Sequence, residues 1–96
     1  MRTIWKFSTL PGGTFLSKFS ILMPKGAEIL SLQVDQKNNH PTIWALVDSE
    51  AETEERFFEL FGTGHEIYED MGIERKYIGT YQYQRGEFVG HLFERI

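Results

Sequence analysis

The sequence predicts an all-β fold, either a small antiparallel β-sandwich or a squat β-barrel of about seven strands, in a single β domain over residues 1–96. Short segments of alternating apolar and polar residues are separated by turns roughly every eight to twelve residues. No long segment has the period of an amphipathic helix. Aromatic residues, which favour strands and bury large areas, make up 15% of the chain.

The first half of the chain supplies four predicted strands, at residues 3–7, 14–23, 27–35 and 42–47. In the third strand, Leu30, Leu32 and Val34 alternate with polar residues and are expected to face inward. The polar stretch 36–41 predicts a hairpin between the third and fourth strands. The fourth strand is apolar throughout 43–47, which predicts cover on both faces, from the second sheet, a long loop or another subunit.

The second half supplies three further predicted strands, at residues 56–61, 77–83 and 88–93. Tyr77, Tyr81 and Tyr83 have the spacing of one strand face, so we expect all three on the same side of the sixth strand. The Gln-Arg-Gly sequence at 84–86 predicts a hairpin turn between the last two strands.

Two segments between strands lack a clear period. The acidic segment 48–55 is expected to be a solvated loop, although its carboxylates are also of the kind that hold a hard cation or meet a basic partner. Ser49 precedes Glu52 at the spacing of a capping box, which allows a short helical turn. Residues 66–76 are expected to fold onto the body of the domain through their apolar side chains.

The predicted core is drawn from the apolar positions of all seven strands. Its residues are Trp5, Phe7, Phe19, Ile21, Leu30, Leu32, Ala45, Val47, Phe58, Leu60, Ile78, Val89 and Phe93. Because a small domain has few layers with which to cover the fourth strand, we also expect a homo-oligomer.

A glycine turn after the fifth strand is the strongest candidate for a ligand site. Successive backbone N–H groups in such a turn can form a concave anion site, to which a threonine and a histidine add hydrogen bonds. Cations and an aromatic residue at the start of the next strand can reach the same rim, where the aromatic ring can stack on a base. The alternative is a structural turn whose glycines supply positive φ. The predicted ligand-binding residues are Gly62, Thr63, Gly64, His65, Arg75, Lys76 and Tyr77.

The sequence gives little support for other kinds of functional site. Cysteine is absent, which excludes disulfides and thiolate catalysis and favours a reducing compartment. His40, His65 and His91 share no ligand spacing, so we predict no metal site and no cofactor, and we interpret His91 as a hydrogen-bonded packing residue. No catalytic motif occurs, so no catalytic residue is assigned. The net charge of −4 disfavours duplex nucleic acid, and no apolar run is long enough to span a membrane.

Five stretches resemble a family of short proteins from tailed phages and prophages that forms a domain of unknown function. The stretches are Ile4–Phe7, Met23–Leu30, Trp44–Asp48, Phe61–His65 and Tyr77–Thr80. No catalytic or binding residue is known for the family, so the resemblance assigns none to this chain. The resemblance extends over almost the whole sequence and implies a small accessory phage protein in the bacterial host cytoplasm.

Small phage proteins of this kind often neutralise host defence. The expected function is therefore that of a non-enzymatic binding protein, which sequesters a nucleotide immune signal or blocks a host defence protein. The alternatives are a minor virion structural or assembly protein and a small hydrolase.

Overall fold

Seven strands form two antiparallel sheets in a computed structural model of the chain, which describes residues 1–10, 16–67, 74–83 and 85–96. The strands are β1 (Arg2–Ser8), β2 (Lys18–Pro24), β3 (Glu28–Asp35), β4 (His40–Asp48), β5 (Thr53–Gly62), β6 (Arg75–Tyr83) and β7 (Phe88–Arg95). One sheet has the order β1-β4-β3 and the other the order β2-β5-β7-β6. The all-β prediction is confirmed, and the two sheets form a sandwich rather than a closed barrel. The described residues contain no helix that could span a membrane.

Both predicted hairpins are present. The turn between β3 and β4 closes with a hydrogen bond from the Asn39 N–H to the Asp35 carbonyl, and Asn39 has a φ of 60°. Between β6 and β7, Arg85 and Gly86 both have positive φ, at 57° and 85°. Positive φ at two successive positions is typical of the tight turns whose twist matches that of the flanking strands. Gln84, which the sequence also assigned to this turn, lies outside the described residues.

The acidic segment differs from its prediction. The chain turns at Asp48, whose carbonyl accepts a hydrogen bond from the Ala51 N–H at 3.1 Å. β5 already begins at Thr53, so the last part of the segment is strand. The predicted helical turn is therefore wrong, because strand pairing of Thr53 and the glutamates that follow it with β2 takes the place of local helix formation.

Eight buried side chains form the core between the sheets: Phe19, Met23, Ala27, Ile43, Ala45, Val47, Phe58 and Leu92. The rings of Phe19 and Phe58 stack at 5.6 Å between centroids. Four predicted core residues lie elsewhere. Trp5 and Leu30 are exposed, and Val89 and Phe93 are half-buried on the outer face of the four-stranded sheet. Predicted strand residues 14 and 15, and the apolar residues 68, 71 and 73, lie outside the described part of the chain.

Two β-bulges explain the wrong faces of Leu30 and of the tyrosines, whereas Val89 and Phe93 were misplaced because the inward parity of β7 is that of Leu92. The pairing of β3 with β4 shifts between Ile29 and Ser31, so Leu30 has no paired residue on β4. Its side chain does not face the core and is 48% exposed. The pairing of β6 with β7 shifts between Tyr77 and Gly79. An extra residue in a strand moves every later side chain to the opposite face.

The bulge in β6 divides the three tyrosines that were expected on one side. Tyr77 faces outward, opposite Phe93, whereas Tyr81 is buried opposite Gly90 and Tyr83 lies on the same side as Tyr81. The bulge thereby frees one tyrosine from the core and places it on the outer face of the four-stranded sheet.

Candidate functional site

The outer face of the four-stranded sheet carries charged and aromatic side chains in place of a uniformly solvated polar surface. Strand alternation sends Phe58, Leu60 and Leu92 toward the core and their neighbours outward. The outward residues, with the threonine of the turn after β5, form a surface that we call the polar–aromatic face. Its residues are Phe57, Glu59, Phe61, Thr63, Arg75, Tyr77, Thr80, His91, Phe93 and Arg95.

A buried carboxylate lies at the centre of this face. Glu59 is only 2% exposed, and its Oε2 accepts a hydrogen bond from Arg75 Nε at 2.8 Å. Arg95 Nε lies 3.1 Å from Oε1 as an ion pair without hydrogen-bond geometry, so Oε1 has no hydrogen-bond partner among the described residues. Two guanidinium groups, from β6 and β7, therefore face one carboxylate. Burial of a carboxylate costs free energy unless the group is paired. The ion pairs of Glu59 therefore depend on the assembly of β5, β6 and β7 in one sheet.

Aromatic rings surround the ionic centre. The Phe93 ring lies 5.7 Å from that of Phe61 and 5.4 Å from that of Tyr77, both in edge-to-face geometry. The guanidinium carbon of Arg75 lies 5.9 Å from the centre of the Phe61 ring. Tyr77 and Phe57 remain 55% and 50% exposed, so each has an open ring surface. Exposed rings beside fixed guanidinium groups are the combination on which nucleic-acid bases stack.

His91 joins the turn after β5 to β6. Its Nε2 lies 2.7 Å from Thr63 Oγ1, and its Nδ1 lies 2.9 Å from Thr80 Oγ1, which also contacts the hydroxyl of Tyr77. A neutral imidazole donates from one nitrogen and accepts at the other, so the two hydroxyls satisfy both. Hydrogen bonding of His91 agrees with its interpretation as a packing residue. Two stretches that carry the family resemblance, around Thr63 and Thr80, meet at this ring.

Three of the predicted ligand-binding residues, Thr63, Arg75 and Tyr77, are brought together on the polar–aromatic face. Gly62 and Gly64 form the turn that carries Thr63, and Gly64 has a φ of 85°, which only glycine adopts readily.

His65 and Lys76 point away from the polar–aromatic face. The Gly62 N–H donates to His65 Nδ1 at 3.2 Å, and the imidazole lines a separate hollow of about 180 Å³ beside Leu60 and Phe88. Lys76 lies on the opposite side of β6 from Arg75, next to the Arg56–Glu94 pair described below. Whether either side chain contacts a ligand stays a prediction.

Sequence reasoning missed most of the polar–aromatic face. The residues not assigned to a site were Phe57, Glu59, Phe61, Thr80, His91, Phe93 and Arg95. One usable signal was present: positions 57, 59 and 61 share parity in a strand whose other parity already supplies the core. The arginines had no such signal, because their approach to Glu59 depends on the pairing of β5, β7 and β6.

A larger groove of about 360 Å³ lies between the beginnings of β3 and β6, and its floor is an ion pair. Arg56 Nε and Nη2 donate to the two oxygens of Glu94 at 2.6 and 2.8 Å, while Nη1 donates to the Ala27 carbonyl at 2.5 Å. The hydrogen bond to Glu94 raises the pKa of Arg56. All three nitrogens of the guanidinium are engaged within the chain, so the pair joins strands rather than presenting charge to a ligand. Among the described residues, no three His, Asp or Glu side chains converge as metal ligands.

Fold and site together define a small β-sandwich with a charged aromatic surface on one sheet. The chain belongs to the family described as Domain of unknown function (DUF7352), whose model matches residues 1–96. No curated protein and no solved structure matches the chain.

Proposed function

We propose that this protein is a small phage or prophage accessory protein that acts in the bacterial host cytoplasm by binding and sequestering a nucleotide immune signal. The proposal rests on the family resemblance for its setting and on the polar–aromatic face for its ligand. Blocking of a host defence protein is the second candidate function, and it requires a protein-binding surface rather than a nucleotide site.

The observation that supports a nucleotide ligand is the placement of two guanidinium groups beside two exposed aromatic rings. Arg75 and Arg95 face the single carboxylate of Glu59, and Tyr77 and Phe57 lie beside them. A nucleotide has an anionic phosphate and a flat base, which match a guanidinium and an exposed ring respectively. The protein as a whole has a net charge of −4, so a pair of neighbouring guanidinium groups distinguishes this face from the chain as a whole.

The hydrogen bonds of His91 favour binding over catalysis. Both ring nitrogens are engaged by threonine hydroxyls of the chain, so neither is directed at an incoming substrate. A general base must lie within hydrogen-bond reach of the proton that it removes, with a ring nitrogen available for it. His91 is better suited to holding Thr63 and Thr80 in place.

Calorimetric titration with linear and cyclic nucleotides tests the proposal. At least one nucleotide is expected to bind without being converted, as judged by chromatography of the recovered ligand. Tyr77→Ala and Phe57→Ala each remove one exposed ring, and removal of the ring on which the base stacks is expected to weaken binding about 5- to 150-fold, since stacking on an aromatic residue contributes roughly 1–3 kcal/mol per base. Ile4→Ala is the matched control, because Ile4 has the same 55% exposure on the other sheet.

Three outcomes would replace this function with another. Turnover of a nucleotide would indicate a hydrolase. Capture of one host protein, unaffected by either Tyr77→Ala or Phe57→Ala, would indicate a blocking role. A fixed copy number in purified particles would indicate a virion component. Absence of binding across the whole nucleotide panel would refute the proposal.

A further inference from the structure

A shallow hollow lies at one edge of the polar–aromatic face, between β2 and the neighbouring strands. Its volume is about 280 Å³, and its lining residues are Lys18, Phe19, Ser20, Phe57, Phe58 and Arg95. The register pairs Ser20 with Phe57 and Phe57 with Arg95, and all three face outward. Phe19 and Phe58 belong to the core, so they contribute backbone to the floor of the hollow. We call this feature the β2 hollow.

The side chains around the β2 hollow have unused hydrogen-bond donors. Lys18 Nζ and Ser20 Oγ have no hydrogen-bond or ion-pair partner among the described residues. Arg95 uses Nε to contact Glu59 at 3.1 Å, and its two terminal amino groups have no partner in the described part of the chain. Three side chains that line the same hollow therefore have donors available to a ligand.

Arg95 is held in position by the chain itself. Its contact with Glu59 anchors the guanidinium at Nε, and Glu59 is in turn held by Arg75. The ion pair restricts the guanidinium before a ligand arrives, which lowers the entropic cost of binding. Lys18 and Arg95 thus place two cations at the β2 hollow, on a chain whose net charge is −4.

We propose that the β2 hollow binds the terminal phosphate of a nucleotide, and that the base of the same nucleotide stacks on Phe57. This inference rests on the proposed nucleotide function and narrows it to nucleotides with a phosphomonoester. Lys18 and Arg95 match the two negative charges of a terminal phosphate, Ser20 donates to a third oxygen, and the half-exposed Phe57 ring supplies the stacking surface.

The size of the hollow suits one nucleotide unit. Its volume of about 280 Å³ lies just below the usual range of ligand pockets, roughly 300–1,000 Å³. A phosphodiester carries one negative charge and has no terminal phosphate group. It would leave either Lys18 or Arg95 without a counter-charge from the ligand.

The test uses titration calorimetry of the full chain with adenosine 5′-monophosphate, adenosine, 3′,5′-cyclic adenosine monophosphate, inorganic phosphate and a 5′-phosphorylated oligothymidylate. Adenosine 5′-monophosphate is expected to bind most tightly, and adenosine and the cyclic nucleotide at least tenfold more weakly. Tighter binding of the oligonucleotide or of free phosphate would overturn the assignment to a single nucleotide.

Lys18→Ala is expected to weaken the binding of adenosine 5′-monophosphate about ten- to a hundredfold, as the loss of one charge-assisted contact does. Lys25→Ala is the matched control, because Lys25 is an exposed lysine just beyond the other end of β2. Ser20→Ala gives a second, uncharged test of the same hollow. Circular dichroism of each variant verifies folding.

The two proposals fail in different ways. If a nucleotide binds and neither Lys18→Ala nor Ser20→Ala weakens it, the β2 hollow is not the phosphate site, while the proposed function stands. If no nucleotide binds to the unaltered protein, both proposals are wrong.

Discussion

Glu59 is the residue on which the polar–aromatic face depends. It points outward from β5, yet its side chain is almost fully buried and pairs with Arg75. Its two oxygens lie at 2.8 and 3.1 Å from different arginines, on β6 and β7. A single carboxylate thus holds together side chains from three strands.

Replacement of Glu59 by glutamine is expected to destabilise the protein. Glutamine keeps the shape of the side chain but removes the negative charge that the guanidinium groups of Arg75 and Arg95 both contact. Loss of one partner of a buried ion pair costs roughly 3–5 kcal/mol, and the lower end applies here because Arg95 is one-third exposed. Urea denaturation is expected to give a lower midpoint with an unchanged slope. Glu52→Gln, at an exposed ion pair with Lys25, is the control and is expected to leave the midpoint unchanged. Equal midpoints for both variants would contradict the assigned role.

Tyr81 is expected to titrate at unusually high pH. Burial raises the pKa of its phenol to about 12, and repulsion from Tyr83 adds to the effect. The hydroxyl has no hydrogen-bond partner among the described residues. Because the folded state holds this proton more tightly than the unfolded state, whose tyrosine pKa is about 10, the associated stability is complete below about pH 10 and is lost as the pH approaches 12.

Phenolate absorbance in a pH titration, with stability measured at each pH, tests this expectation. Tyr81→Phe is expected to remove the late titration step and to keep or raise stability by about 1 kcal/mol, because it deletes an unpaired buried hydroxyl. A single phenolate step at the ordinary tyrosine pKa, unchanged in Tyr81→Phe, would show that the hydroxyl is solvated.

At the scale of elements, the pairing of β6 with β7 decides which side chains reach each face. The bulge at Ile78 sends Tyr77 outward and Tyr81 inward. The inward tyrosine then needs space on β7, which Gly90 provides by having no side chain directly opposite. Glycine is therefore required at position 90 of β7, because the bulge in β6 turns Tyr81 inward opposite it.

Gly90→Ala is expected to destabilise the sandwich by about 1–3 kcal/mol, which is typical of overpacking. An added Cβ would lie 2.7 Å from Tyr81 Cζ and 3.0 Å from Leu60 Cδ1, closer than either contact allows. Gly79→Ala on the paired strand is the matched control, since its Cβ would meet Leu32 at 3.4 Å and should leave stability nearly unchanged. Thermal unfolding checks both variants, with a fall in Tm of about 4–8 °C expected for each kcal/mol. Equal melting temperatures for the two variants would contradict the steric argument.

At the scale of the whole molecule, the two sheets have different outer faces. The outer face of the three-stranded sheet presents Ile4, which is 55% exposed, next to the half-buried Leu46 and Trp44 of β4. The prediction that β4 is apolar on both faces agrees with its side chains, but the described residues include no third layer over Trp44 and Leu46. Self-association through this face therefore stays a prediction.

Analytical ultracentrifugation at high micromolar concentration is expected to show a dimer, the commonest symmetric assembly. Leu46→Lys is expected to give a monomer, because it places a charge in the middle of the proposed contact. Leu22→Lys makes the same change at an exposed leucine on the other sheet and should leave the dimer intact. A monomer for the unaltered protein would rule out self-association, and dissociation by both variants would place the contact elsewhere.

The sequence by itself determined the secondary-structure elements. All seven strands and both hairpins follow from local signals: alternation with a period of two, and turns rich in Gly, Pro and Asn between the segments. These signals work because side-chain alternation and turn conformation depend on residues that are close in sequence. The turn that carries Thr63 was recognisable for the same reason.

Only the tertiary structure decided which residues meet. The bulges at Leu30 and Ile78 have no local signal, and each reverses the faces of the residues that follow it. The ion pairs of Glu59 and the hydrogen bonds of His91 join strands that are distant in the chain, so they depend on the order β2-β5-β7-β6. That order arises from burial of the core between two sheets, a property of the whole chain that no single segment carries.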